Sequence, residues 1–290
     1  MLTRRCTQRQ FLLRPDDKTN PIVAYCLAEA AKRHEIGLVA WLAMSNHYHA
    51  VVHDPYGRLP AFLEHFHKML AKALNVRWSR WENLWSSEET CVTYLPTPED
   101  IFDKVVYVLA NPVADHLVDR IGDWPGCSSL GHLDGARTVH ARPRAYFRAK
   151  GSTMPTRVEL RAVQPPGVAA RESVAAWATR IRAAVAAKER AAREQRTRDG
   201  GRVVGRKQVL LSPAFASPST SEPRRKLRPV LACKHRERRV AELRALTEFR
   251  RAHEQARRRY IVGERGVEFP PGTYRMRALG ARCAPIPIAA

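Results

Sequence analysis

Long apolar runs are absent from this sequence of 290 residues: no stretch approaches the roughly 18 apolar residues that cross a membrane. The first six residues, with Arg4 and Arg5 among them, also lack the apolar core of a signal peptide. We therefore expect a soluble protein that is not exported, lies in the cytoplasm and has no membrane partner.

Paired cysteines are absent as well. The six cysteines form no C-x-x-C pair, so the sequence indicates neither a disulfide framework nor a cysteine zinc site. They are Cys6, Cys26, Cys91, Cys127, Cys233 and Cys283. We expect them to be small apolar residues of the core.

Acidic residues are scarce in the second half of the chain. Residues 1–130 carry 14 Lys and Arg against 15 Asp and Glu, whereas residues 131–290 carry 36 against 13. Residues 1–130 therefore carry a net charge of −1 and residues 131–290 one of +23, which together give the net charge of +22. This asymmetry favours a polyanionic partner such as nucleic acid, and the alternative is a set of well-solvated arginine-rich helices.

Hydrophobic spacing predicts alternating strands and helices over residues 1–130. The strands are expected at 9–13, 36–43, 47–53 and 90–94, and the helices at 20–34, 59–80 and from Thr97 to Asn111. The order β-α-β-β-α-β-α predicts an α+β fold of the ferredoxin-like kind, an antiparallel sheet with helices on one face.

Beyond residue 130 the composition changes, which predicts three segments. Residues 1–130 are expected to form one domain, 131–167 a linker, and 168–290 a basic, mostly helical extension with an internal linker near 212–229. Helices are expected over 174–198 and 236–260. Their aromatic residues Trp177, Phe249 and Tyr260 are either core residues or surfaces on which bases stack.

The sequence His47-Tyr48-His49 lies at the start of a predicted strand. Successive strand side chains point to opposite faces, so the two histidines share a face, about 6.6 Å apart along the strand, and Tyr48 points the other way. Two imidazoles on one face can share a divalent cation if a further ligand arrives from elsewhere. The alternative is two ordinary polar residues on a solvated strand.

Other histidines do not fit a joint site. His65 and His67 fall in a predicted helix, where residues two apart diverge by about 200°. His53 has the parity of His49 but lies about 13 Å further along the strand. We expect it at the surface or beside bound DNA.

Tyr107 and Asn111 are four residues apart in a predicted helix and therefore lie on one face, one turn apart. With His47 and His49 they supply two imidazoles, an amide oxygen and a phenol, the groups that a metal-assisted phosphodiester transfer needs. Taken alone, Tyr107 could be a buried aromatic and Asn111 a helix cap.

Three stretches together resemble the HUH single-tyrosine transposases, and most closely the REP-associated tyrosine transposases. They are Met44-Ser45-Asn46-His47-Tyr48-His49, then Tyr107-Val108-Leu109-Ala110-Asn111-Pro112-Val113, then Asp123-Trp124-Pro125 with Ser128-Ser129. The resemblance covers about residues 1–130 and does not extend into the basic half.

The resemblance implies specific roles. His47, His49 and Asn111 are expected to bind Mg²⁺ or Mn²⁺, and Tyr107 to be the nucleophile that forms a 5′-phosphotyrosine on single-stranded or hairpin DNA. A cytoplasmic protein of this kind would be nucleoid-associated if bacterial. Two alternatives stay open: a non-catalytic, domesticated binder of repeated hairpins, and a replication- or conjugation-type nickase, although the chain has no recognisable helicase loop. The sequence leaves monomer and homodimer undecided.

Overall fold

The computed structural model of the protein describes residues 1–144, 153–220 and 229–285. The strands are β1 Leu2–Arg5, β2 Gly37–Ala43, β3 His47–His53, β4 Cys91–Val92, β5 Arg137–Ala141 and β6 Arg157–Arg161. The helices are α1 Thr19–His34, α2 Leu59–Arg77, α3 Pro98–Ala114, α4 Pro166–Ala169, α5 Val174–Arg198, α6 Arg206–Leu211, α7 Arg236–Ile261 and α8 Tyr274–Ala278.

Strands β1 to β4 form one antiparallel sheet in the order β2-β3-β1-β4. The elements follow one another as predicted through α3, and the α+β class is confirmed. The first strand, however, is Leu2–Arg5 and not residues 9–13. Leu12 and Leu13 lie in a loop, and their side chains are buried in the core although their backbone belongs to no strand.

Helices cover both faces of this sheet, so the prediction of helices on one face is wrong. Helices α1 and α2 pack with Tyr48 and Ala50 on one face. Helix α3 packs with Val51 and Leu42 on the other. The near-continuous burial of β2 agrees with this arrangement, since a strand covered on one side only would alternate between apolar and polar residues.

The segment predicted as a linker, 131–167, contains a folded hairpin. Strands β5 and β6 pair over five residue positions and pack against α1. Val158 and Leu160 of β6 are buried in the same core as α1. The alternation of β6, with every second residue buried, is what attaches the hairpin to the sheet domain. The remaining domain boundaries stay a prediction.

Helix α5 docks on α3 and extends the second core. Helical spacing predicts an apolar face of Val174, Trp177, Ile181 and Val185, of which the last three are buried there and Val174 is exposed. The ring of Trp177 lies 5.7 Å from that of Phe102. Trp177 is therefore a core residue and not a stacking surface. Of the other two aromatics, Phe249 is partly buried, and Tyr260 is exposed on one side while its ring packs against Phe269.

Two extended segments return the chain to the sheet domain. Residues 212–220 run along the loop between β1 and α1, where the amide of Phe11 donates to the carbonyl of Ala216. Residues 229–232 lie beside Tyr94, which exchanges two backbone hydrogen bonds with Val230 and Ala232. The part of the predicted linker at 221–228 lies outside the described residues. Among the described residues, no helix is long and apolar enough to cross a membrane.

Candidate metal centre and nucleophile

Strand β3 directs both histidines toward α3. Its residues Tyr48 and Ala50 belong to the core under α1 and α2, while Val51 belongs to the core under α3. His47 and His49 have the parity of Val51. The predicted shared face is therefore the face that α3 covers, and His49 is buried there while His47 is half-buried.

A short chain of hydrogen bonds joins the two imidazoles to their surroundings. The Nε2 atoms of His47 and His49 lie 3.0 Å apart. Nδ1 of His47 lies 2.7 Å from Oδ1 of Asn46, and Nδ1 of His49 lies 2.8 Å from the hydroxyl of Thr3 on β1. The rings meet edge to face with centroids 4.7 Å apart. The two Nε2 atoms thus face each other.

Both histidines are neutral at pH 7. Burial, and after it the nearby Arg5 and Arg9, together lower the pKa of His47 to about 4. Burial, then His47 and Arg5, lower the pKa of His49 well below its ordinary value. A neutral imidazole keeps a lone pair for a metal ion, which a protonated one lacks.

Helix α3 presents the tyrosine to this pair. Thr97 caps it by accepting from the amide of Asp100, and Pro98 occupies its first turn. Asn111-Pro112 predicts an end or a kink of the helix; the helix does not end there but continues through Pro112 to Ala114. Tyr107 and Asn111 are therefore both helical and one turn apart.

Tyr107 combines exposure with close contact to the histidines. Its side chain is 46% exposed, and its ring centroid lies 5.6 Å from that of His49. The ammonium of Lys104, one turn earlier, lies 5.4 Å from the ring centroid. A tyrosine that is open to solvent beside two neutral imidazoles can meet a bound phosphodiester.

The phenol of Tyr107 is protonated at neutral pH. Partial burial and then the carboxylate of Asp115 raise its pKa, while Arg5 and a hydrogen bond from the Asn111 side chain oppose that rise. A nucleophilic role would therefore require the phenol to lose its proton during the attack.

The donor atoms fit a small divalent cation. Adjacent ligands of an octahedral ion with bonds of about 2.1 Å lie about 3.0 Å apart, which is the distance between the two Nε2 atoms. Oδ1 of Asn111 is buried without a hydrogen-bond partner among the described residues, as expected of an oxygen that awaits a ligand. No group of three or more His, Cys, Asp or Glu in the described parts of the chain is placed to bind a metal. The amide oxygen of Asn111 stays the third donor that the sequence predicts.

The other candidates have structural surroundings. Tyr48 is buried, and its hydroxyl lies 2.6 Å from Nε2 of His67. His65 lies 2.5 Å from the carboxylate of Glu29, on the side of the sheet away from Tyr107. His53 is half-exposed at the far end of β3. The sequence interpretation missed Thr3 and Asn46, although Asn46 stands next to His47 in the motif.

The third stretch of the resemblance supports β2 and does not enter the site. The indole of Trp124 donates to the carbonyl of Ala43, and the hydroxyl of Ser129 accepts from the amide of Trp41. Residues 127–129 also exchange backbone hydrogen bonds with Trp41 and Ala43. Residues 127–129 therefore pair with β2, the edge strand of the sheet.

Comparisons with known proteins complete the description. No family model and no curated protein matches the chain. A search of solved structures finds a REP-associated tyrosine transposase bound to a REP hairpin, with 14% sequence identity and a TM-score of 0.39 over 56% of this chain and 91% of that one. Similarity at this level carries no argument about function.

Proposed function

We propose that this protein is a DNA strand transferase of the single-tyrosine kind, acting on single-stranded or hairpin DNA. The observation that carries the proposal is the position of a half-exposed tyrosine on α3 beside a pair of neutral imidazoles on β3. The ring centroids of Tyr107 and His49 lie 5.6 Å apart, and the Nε2 atoms of His47 and His49 lie 3.0 Å apart. A buried aromatic or a solvated histidine pair would not require this arrangement.

The reaction is a transesterification. The phenol oxygen of Tyr107 attacks the scissile phosphorus, a phosphorus–oxygen bond forms to the tyrosine, and the bond to the 3′-oxygen breaks. The phenol gives up its proton and the departing 3′-oxygen takes one, leaving a 5′-phosphotyrosine and a free 3′-OH. Attack by a second 3′-OH reverses these steps and joins a new strand.

The side chains around the tyrosine have separate tasks. His47, His49 and Asn111 would hold a Mg²⁺ or Mn²⁺ ion, which polarises the phosphate and offsets charge on its oxygens. Imidazole ligands favour Mn²⁺, since Mg²⁺ prefers an all-oxygen set. The hydrogen bond from Asn111 holds the phenol oxygen in place and lowers its pKa. Arg5 also stabilises the phenolate as it forms.

The basic half supplies affinity for the DNA backbone. Residues 131–290 hold 36 of the 50 Lys and Arg residues. Helix α7 carries many of them on a helix of 26 residues in which Ala256 alone is fully buried. Lys234, just before α7, donates its amide to Asp100 and pairs through its ammonium with Asp103. Both acids belong to α3, so α7 starts beside the helix that carries the nucleophile.

The test is covalent capture of cleaved DNA. Hairpins labelled at the 5′ or the 3′ end are incubated with the full chain and Mn²⁺, and with EDTA in place of the metal. A 5′-phosphotyrosine keeps the 3′ label on the protein and releases the 5′-labelled fragment. An adduct that forms equally in EDTA, or that keeps the 5′ label, contradicts the proposal. Tight hairpin binding without any adduct would favour the non-catalytic binder instead.

A further inference from the structure

The four hydrogen bonds around the histidine pair run in one direction. The amide nitrogen of Asn46 lies 3.1 Å from the backbone carbonyl of Arg9, which can only accept. The side-chain carbonyl of Asn46 must therefore face His47, and Nδ1 of His47 must carry the hydrogen.

The hydrogen position on His47 then fixes the donor and the acceptor in the next two hydrogen bonds. Since neutral His47 carries its hydrogen on Nδ1, its Nε2 is a bare acceptor. Nε2 of His49, 3.0 Å away, must be the donor. Nδ1 of His49 is then bare, and the hydroxyl of Thr3 donates to it over 2.8 Å. Every proton position follows from one backbone carbonyl.

This arrangement of hydrogens is incompatible with metal binding at His49. A metal ion needs the Nε2 lone pair of both histidines. His47 already offers its lone pair, but His49 carries a hydrogen there. His49 must move that hydrogen to Nδ1, and its partner must change from donor to acceptor. Among protein groups a hydroxyl can do this by rotating.

We propose that Thr3 is the positioning residue that switches His49 between a hydrogen-bond donor to His47 and a metal ligand. The inference rests on the proposed function, because it concerns the same metal. The hydrogen bond to Asn46 keeps the hydrogen of His47 on Nδ1, so Nε2 of His47 is always free to bind a metal. The hydroxyl of Thr3 can donate to Nδ1 of His49 in one tautomer and accept from it in the other. A metal-bound imidazole is a stronger donor than a neutral one, so the hydrogen bond with Thr3 is stronger in the metal-bound state.

The first experiment follows the tautomers in the full chain. The ring nitrogens of ¹⁵N-histidine-labelled protein are observed by NMR at pH 7.5, with His47→Asn and His49→Asn used to assign signals. In the absence of metal, His47 should carry its hydrogen on Nδ1 and His49 on Nε2. Diamagnetic Zn²⁺ should move the His49 hydrogen to Nδ1 and leave that of His47 in place. A metal-free protein with His49 already protonated on Nδ1 overturns the inference.

The second experiment measures Mn²⁺ affinity by calorimetry. Thr3→Val keeps the shape and suits a strand but removes the hydroxyl, so affinity should fall by about tenfold or more. Thr3→Ser should restore it. Thr138→Val is the matched control, because Thr138 also bonds an imidazole, His140, on the exposed hairpin. Wild-type affinity in a folded Thr3→Val protein contradicts the switch.

The two experiments separate this inference from the proposed function. If the metal-free tautomers are as stated but neither Zn²⁺ nor Mn²⁺ binds the wild type, the metal-dependent reaction fails and the switch fails with it. If the metal binds and the DNA adduct forms while Thr3→Val has no effect, only the role of Thr3 is wrong.

Discussion

The packing of α5 on α3 gives a quantitative prediction for Trp177. This side chain is 2% exposed, its ring lies 5.7 Å from that of Phe102 on α3, and the guanidinium of Arg180 lies 5.1 Å from its centroid. Replacing a buried tryptophan by alanine removes its transfer free energy and leaves a cavity, at a cost of about 3–5 kcal/mol. Trp177→Ala should therefore lower the free energy of unfolding by that amount.

The assay is urea unfolding followed by circular dichroism. Val174→Ala is the matched control on the same helix, since Val174 is 41% exposed and its replacement should cost about 0.5 kcal/mol or less. A decrease below about 1 kcal/mol for Trp177→Ala would refute the docking of α5 on α3. The same packing predicts that a chain ending near residue 130 lacks part of both cores.

Three further predictions concern the pH dependence of stability, the salt dependence of DNA binding and the binding of Mn²⁺. Burial lowers the pKa of His67 to about 3, so the unfolded chain alone takes up this proton below about pH 6.5, and stability is lost as the pH falls. Between pH 7.5 and 5 the contribution of His67 should reach about 2 kcal/mol in urea titrations. His47 and His49 lose stability over the same range in both proteins, so the free energy of unfolding should fall by about 2 kcal/mol less in His67→Gln than in wild type, and equal pH profiles would contradict this. Changing Arg244, Arg250 and Arg251 of α7 to Gln should flatten the salt dependence of single-strand binding, measured by anisotropy, by roughly 0.7 in log K per log salt for each phosphate that is no longer neutralised, and an unchanged slope would exclude α7 from the interface. His49→Ala should abolish calorimetric Mn²⁺ binding with the fold retained, whereas wild-type binding would place the metal elsewhere.

Local patterns were sufficient for the parts of the site that depend on one element. The parity of β3 placed His47 and His49 together and Tyr48 opposite. Helical spacing placed Tyr107 and Asn111 on one face. Such relations follow from the period of a strand or helix, which the sequence displays directly.

Relations between elements were harder to predict. Residues 9–13 have strand-like composition, but β1 is Leu2–Arg5, because pairing with β3 and β4 decides which segment joins the sheet. Thr3 meets His49 through that pairing, and so no spacing rule reveals it. The composition predicts a linker over 131–167 and does not reveal the hairpin, because the two paired strands are separated by a long Pro- and Arg-rich stretch.

The identity of the nucleophile is the central claim, and one substitution tests it most directly. Wild type, Tyr107→Phe and Tyr48→Phe are incubated with a 3′-labelled hairpin and Mn²⁺, and the covalent adduct is quantified and mapped by mass spectrometry. The control is apt because Tyr48 belongs to the histidine motif but points into the opposite core. We expect an adduct on Tyr107 in wild type and Tyr48→Phe, and none in a folded, DNA-binding Tyr107→Phe. An undiminished adduct in Tyr107→Phe would contradict the assignment of Tyr107 as the nucleophile.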